Sequence, residues 1–575
     1  MTRRQQRQSG TRLVLASLTA LVLAACGGGG GSSGTMQQSG GGTTVPPTAA
    51  PETKSESYRF FKQATFGATG LQAENLLIDG YERWINQQFI ATASSMRAQI
   101  DLRLRIDPEA SARADWVYEA FWTNVANGND QLRQRVTYAL SQIFVISMRD
   151  ASVGKYPRGV AHYYDLLASN AFGNFRDLLE DVALNPMMGI YLTHLANEKG
   201  DPETGRVPDE NFAREIMQLF SLGLYELNLD GSVKLDGEGN PIETYDTEDV
   251  EGLAKVFTGL SWGGPDTQRG RFRGWVKYPD REVIEMRAYP QYHSTEEKRF
   301  LGVVIPQGSN DVMADVGIAI DTLFNHPNVG PFIAKQMIQR MVMSNPSPAY
   351  IARVASQFND NGEGVRGDMR ALVKAVLFDE DARSLIIAAQ PSSGKIREPI
   401  LRFAEWMRTY RAVSTSGRFS IGNTDDQGNR LGQTVLRSPS VFNFYRPGYV
   451  PPNTPIAEAS LVSPEMQITH ETSVAGWLNM MRTAVERGWG SQRDVQPNYE
   501  IEMSLADNPA ELVERINIIM LNGTMSNRLR ARIQSTVGDR QIHATDAERA
   551  YRDRANRVHL AVFMTMASPE FAVLQ

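Results

Sequence analysis

The chain has 575 residues, of which 42% are hydrophobic and 22% charged, an ordinary globular composition about four domains long. Fifty-nine Lys and Arg against 65 Asp and Glu leave a net charge of −6, so no basic excess points to nucleic acid as a partner. The single cysteine, Cys26, excludes an intrachain disulfide, a Cys-ligated zinc or iron–sulfur centre and a c-type haem attachment.

Arg3, Arg4, Arg7 and Arg12 precede an apolar stretch over residues 13–24, which closes on Leu23-Ala24-Ala25-Cys26. At about 12 residues it falls short of the ~20 that cross a bilayer. Residues 1–25 therefore read as an export signal, and Cys26 sits where a bacterial lipoprotein carries its lipid. Residues 26–57 begin with that cysteine and continue in Gly, Ser, Thr, Gln and Pro. Such a segment cannot bury a core and reads as a flexible tether. The expected location is the cell envelope, with the membrane as a partner through the lipid anchor, most simply the outer membrane facing periplasm or exterior. No later stretch approaches 18 consecutive apolar residues, so no membrane-spanning helix is predicted.

Residues 58–575 form the predicted folded part, with an internal boundary near 380–395. Apolar residues recur at 3–4 spacing through 114–148, broken by Asn127-Gly128-Asn129-Asp130, which predicts a helical hairpin. The same period covers 163–184, 211–224, 246–260, 312–324, 331–342, 349–358 and 368–377. It returns at 398–410, 464–486, 510–520 and 546–566. Residues 228–240, with Asp230-Gly231 and Asp236-Gly237, predict a polar hairpin. They do not form a calcium loop, because the twelfth position from Asp236 is Thr247 where a bidentate Glu is needed. The fold class is all-α, with short β-hairpins in loops.

Most catalytic motifs fail. His470-Glu471 lacks the second His of a zinc protease, and Gly394-Lys395 lacks the first glycine of a phosphate loop, Ala389 standing there. Gly259-Leu260-Ser261-Trp262-Gly263 matches the serine-hydrolase elbow formally, but a predicted helix precedes it where the elbow needs a strand. Ser261 is expected at a helix end.

The densest polar cluster is residues 208–220. Asp209 can cap a helix whose apolar stripe is Phe212, Ile216, Leu219 and Phe220. Glu210 and Arg214 are spaced i, i+4, as are Asn211 and Glu215, so two polar pairs stack on neighbouring faces. One reading is a solvated face with ordinary ion pairs. The other is a buried carboxylate held by Arg214, because Ala213 and Met217 leave most of the circumference apolar.

The run Asp209-Glu210-Asn211-Phe212-Ala213-Arg214-Glu215-Ile216-Met217-Gln218-Leu219-Phe220-Ser221-Leu222-Gly223 resembles the signature N-E-N-Y-A-R-E-L-M-E-L-F-T-L-G of an uncharacterised bacterial family, domain of unknown function 1800. Gln63-Ala64-Thr65-Phe66-Gly67, residues 171–179, residues 245–250, Phe257-Thr258-Gly259-Leu260-Ser261-Trp262, residues 293–302 and Ser438-Pro439-Ser440-Val441 agree in order. Asp209, Gln218 and Leu260 depart from the pattern, where the family has Asn, Glu and commonly Trp. The resemblance implies an exported protein of no established activity. It also implies a partner from a second exported family of sulfatase/phosphatase-like type.

Three functions are compatible with these residues. The first is an envelope enzyme with catalytic Glu210, Arg214, Glu215 and His293 and substrate-binding Asn211, Glu248, Asp249 and Lys298, working by acid/base or metal-assisted hydrolysis with an oxygen-ligated metal as the cofactor option. The second is a non-enzymatic assembly or binding lipoprotein in which the cluster is a structural ion-pair network. The third is a carbohydrate-active or carbohydrate-binding protein using Trp262, Trp275, Tyr445 and Tyr449.

Overall fold

Short polar side chains start most of the helices in the computed structural model, which describes residues 50–575; the leader, Cys26 and the tether to residue 49 lie outside the described residues. Thr53 accepts from the Glu56 N–H to open Lys54–Ala64. Thr69 and Gln72 cap each other reciprocally at Gly70–Ile90, as Asp246 and Asp249 do at Thr247–Val256. Each satisfies backbone donors that the first turn leaves free. Among the described residues there are 25 α-helices and four two-stranded antiparallel pairs. No helix among them is long and apolar enough to cross a membrane.

The all-α expectation holds. Residues 114–148 fold as Ala114–Asn127 and Gln131–Ser141 around the predicted turn. Residues 224–243 form nested hairpins, bridged at Tyr225–Glu243, Leu227–Val233 and Leu235–Pro241. Boundaries differ where backbone geometry overrides periodicity. The first helix starts at Lys54, ahead of residue 58. The 246–260 period ends at Val256, because Gly259 takes φ +74°, a left-handed conformation that glycine tolerates. Ser261 thus stands in a strand, Leu260–Ser261, paired with Arg287–Ala288, and not at a helix end; its buried hydroxyl donates to the Phe272 carbonyl at 2.6 Å. Residues 380–395 hold the short helices Glu380–Arg383 and Leu385–Ala388 and lead into Lys395–Ile396, which pairs with Val573–Leu574.

Helices converge end-on in the interior, and buried cations cap their C-termini. Lys62 donates to the Met520 carbonyl in the last turn of Pro509–Leu521 at 2.5 Å. Arg408 donates to Val125 O at 2.8 Å at the end of Ala114–Asn127. Lys395 takes Gln339 O and Arg340 O at 2.7 and 2.9 Å, the end of Val329–Met341, and Arg59 takes Ala382 O at 2.8 Å. These carbonyls have no partner inside their own helices, and the helix dipole places partial negative charge there. Two buried glutamates complete the pairing, and a third is held by neutral donors. Glu405 bonds Lys62 at 2.9 Å and also Arg397. Glu465 bonds Lys395 at 2.8 Å, and Glu398 accepts from Tyr138 and Gln142, both at 2.6 Å.

Thr247–Val256 packs against the strand Lys298–Phe300 through Gly252, where a Cβ would overlap the Arg299 carbonyl. Alanine is the better helix former by ~1 kcal/mol, yet here it must push helix and strand apart. Gly252→Ala is expected to destabilise the protein by ~1–3 kcal/mol, the usual cost of overpacking. A melting temperature equal to or above the parent's would contradict this contact.

Candidate functional site

The signature helix is Asn211–Gln218, opened by Asp209, whose carboxylate accepts from the Asn211 N–H at 2.9 Å. Phe212 stacks on the buried His194 ring at 3.8 Å, and His194 Nε2 lies 2.9 Å from the Ala183 carbonyl. The two stacked pairs expected on this helix separate. Arg214 pairs with Glu210 at 3.1 Å on the surface, its side chain 45% exposed, so the expectation of a buried Arg214 is corrected. Ala213 and Met217 are buried as supposed, but the arginine's long stem carries its charge out to solvent. Glu215 points inward and is only 8% exposed. Burial raises its carboxyl above the ordinary range against the pull of Arg214, and Oε2 has no hydrogen-bond partner.

His293 and Lys298 sit elsewhere, together. Asp315, from the helix Val312–Asn325, receives His293 Nε2 at 3.0 Å, Lys298 Nζ at 2.9 Å and Ser309 Oγ at 2.6 Å. His293 Nδ1 lies 2.8 Å from the Thr258 carbonyl. Both His293 and Lys298 are fully buried. Burial alone would raise the Asp315 carboxyl, but Ser309, Lys298 and His293 together hold it below its usual value. Asp249 spends its oxygens on the Asp246 and Leu301 N–H groups, at 3.0 and 2.6 Å, and Glu248 is exposed. The eight residues expected to share a site therefore divide: Glu210 and Arg214 form a surface pair, Asp249 caps a helix, His293 and Lys298 join an enclosed ion cluster, Glu215 is buried by itself, and Asn211 and Glu248 are exposed. Among the described residues no three His, Asp or Glu side chains converge in metal-binding geometry.

Sequence reasoning missed a cleft of about 850 Å³, toward the upper end of the ~300–1,000 Å³ typical of small-molecule sites. Its floor is the Val329–Met341 helix, with Phe332, Lys335 and Arg340 facing it. One wall is the turn after the signature helix and the first hairpin, including Gln218, Leu222 and Tyr225; the other includes Val441, Tyr445 and Leu461. Two asparagines fix the walls to opposite ends of the floor. Asn328 accepts from Leu227 N at 2.9 Å and donates to Tyr225 O at 2.8 Å. Asn345 accepts from Val462 N at 2.8 Å and donates to Val462 O at 2.9 Å. No His or Cys lines the cleft. Of the four aromatics considered for carbohydrate, only Tyr445 reaches it. Trp262 lies under the Arg281 guanidinium at 4.1 Å, and Trp275 is 71% exposed. The late segment Ser438-Pro439-Ser440-Val441 was the one sequence signal leading to this wall.

Residues 59–573 match the family model described as a protein of unknown function (DUF1800). The chain belongs to this family. No curated protein and no solved structure matches it. Both the signature helix and the floor helix of the cleft fall within this DUF1800 region.

Two outcomes follow from the buried groups. Burial lowers His194 from 6.5 to about 4, so between those values the unfolded chain binds a proton that the folded one does not. Stability should then fall as pH drops from about 6.5 to about 4. His194→Gln should flatten that slope in urea titrations, and an unchanged slope would rule out His194 as its source. Lys298→Met leaves Asp315 with one fewer cation and should cost ~3–5 kcal/mol of stability, as breaking a buried pair does.

Proposed function

We propose that this DUF1800 member is an envelope lipoprotein that binds a largely apolar small ligand in the cleft beside the signature helix. The observation that carries the reading is the cleft, roomy and mainly apolar in lining, with polar groups at a few points. Its two carboxylates are committed. Asp230 accepts from the Ser232 N–H at 2.9 Å and from its hydroxyl, and Asp381 accepts from Ser347 Oγ at 2.6 Å and Arg353 at 3.1 Å. The hydroxyls beside these carboxylates serve turns and caps, Ser347 Oγ also accepting from the Tyr350 N–H at 3.0 Å to open the helix Pro348–Asn359, and no His faces the space, which favours holding a ligand over acid/base turnover. Of the three functions considered from sequence, this is the binding lipoprotein, with the ion clusters serving the scaffold. The anchor at Cys26 and the Gly-rich segment after it support a tethered position beside a membrane.

Binding is tested with the full chain carrying Cys26→Ser, which keeps detergent out, and the uncharged probe N-phenyl-1-naphthylamine. Its fluorescence should rise and saturate. Val441→Trp, which fills the cleft from one wall, should weaken binding by ~tenfold or more, about 1.4 kcal/mol. A probe that does not bind, or binds the variant equally, removes the reading. The same Cys26→Ser chain tests the anchor: it should leave the membrane fraction, since stable attachment needs the lipid chains.

A further inference from the structure

We propose that the cleft selects an acidic amphiphile, an apolar chain or ring system ending in a carboxylate or phosphate. This rests on the cleft being a ligand site and names the class of ligand it takes.

The argument is the imbalance of charge around the lining. Three cations border the cleft, Lys335, Arg340 and Arg446, against two carboxylates, Asp230 and Asp381. Both carboxylates are occupied by the hydrogen bonds given above. Arg340 is buried and donates to Gln336 O at 3.2 Å and Gln142 O at 3.1 Å, and its Nε has no partner. Lys335 is exposed at the cleft and makes no ion pair among the described residues, and partial desolvation lowers its ammonium below the ordinary value. Arg446 lies over the Phe442 ring at 4.9 Å and makes no ion pair among the described residues.

A neutral ligand filling this space strips water from Lys335 and Arg446 and returns nothing to them. Desolvating an unpaired charge is costly. A cationic ligand adds like-charge repulsion to that cost. An anionic head supplies the counter-ion that the protein withholds from these cations, while the apolar body covers lining such as Leu222, Phe332 and Val441. Carboxylate and phosphate share this chemistry, and an arginine accommodates either.

The test is displacement of the uncharged probe from the full Cys26→Ser chain by four ligands with one chain length: dodecanoate, dodecyl phosphate, 1-dodecanol and dodecyltrimethylammonium. The two anions should displace it at ~tenfold lower concentration than the alcohol, a difference of one decade in affinity, and the cation should be weakest. Added salt should narrow the gap, as screening of partly exposed charges requires. Combining Lys335→Gln with Arg446→Gln should raise the anions' displacement concentration toward the alcohol's, with the thermal melt confirming that the variant is folded. Whichever anion displaces at lower concentration identifies the head group. Equal displacement by all four ligands, or a preference for the alcohol or the cation, overturns the proposal while leaving the cleft a ligand site. A probe that never binds defeats the binding reading itself.

Discussion

Cations seated on helix ends hold this protein together. An ammonium or guanidinium deep inside a protein is costly unless it is paired and hydrogen-bonded. Here the partners are backbone carbonyls that helix geometry leaves free, so each charge and each helix terminus satisfies the other. Lys62, Arg408, Lys395 and Arg59 each reach a helix far away in sequence. This lets helices point their C-termini into the core, an arrangement that an apolar interior would penalise. Glu405 and Glu465 supply counter-charge to Lys62 and Lys395. Replacing Lys62 or Lys395 with an apolar residue exposes two deficits together, the stranded carbonyls and the stranded glutamate.

The cleft inherits its rigidity from the same device. Its floor helix ends on Lys395, and the other end is where Asn328 holds the first hairpin. Both walls are therefore referenced to a single helix. The ligand proposed above would meet a largely preformed surface, so little of its binding energy would go into ordering the protein. The signature helix contributes mainly by position. Its apolar stripe is core, its Glu210–Arg214 pair faces solvent, and the turn after it lines the cleft.

Local signals were legible in the sequence and distant partnerships were not. The 114–148 hairpin, the 312–324 helix and the polar hairpin at 228–240 could be read because a 3.6-residue period and Asp-Gly or Asn-Gly turns are local facts. The membership of the family was legible from one dense motif. His293 and Lys298 are a different case. Both were picked out by residue type, and they do come together, but on Asp315, which lies in an apolar-periodic helix and drew no notice. The cleft was invisible for the same reason. Its lining comes from segments more than two hundred residues apart, and the motifs that touch it, the end of the signature run and the 438–441 segment, carry nothing that says they face each other. Arg214 was misplaced because helical periodicity fixes where a Cβ points but not where a long side chain ends.

The far end of the described chain has a consequence for how this molecule is made. Arg59 donates to the Gln575 carbonyl at 2.9 Å, Arg397 donates to the Phe571 carbonyl, and Val573–Leu574 supplies the second strand for Lys395–Ile396. Residues near both ends and the middle thus close on one another. A chain emerging residue by residue, from a ribosome or through a translocation pore, holds Arg59 and Arg397 without these partners until residues 571–575 arrive. Such long-range closure slows folding and leaves collapsed intermediates open to association. Completion of this closure waits on residues 571–575.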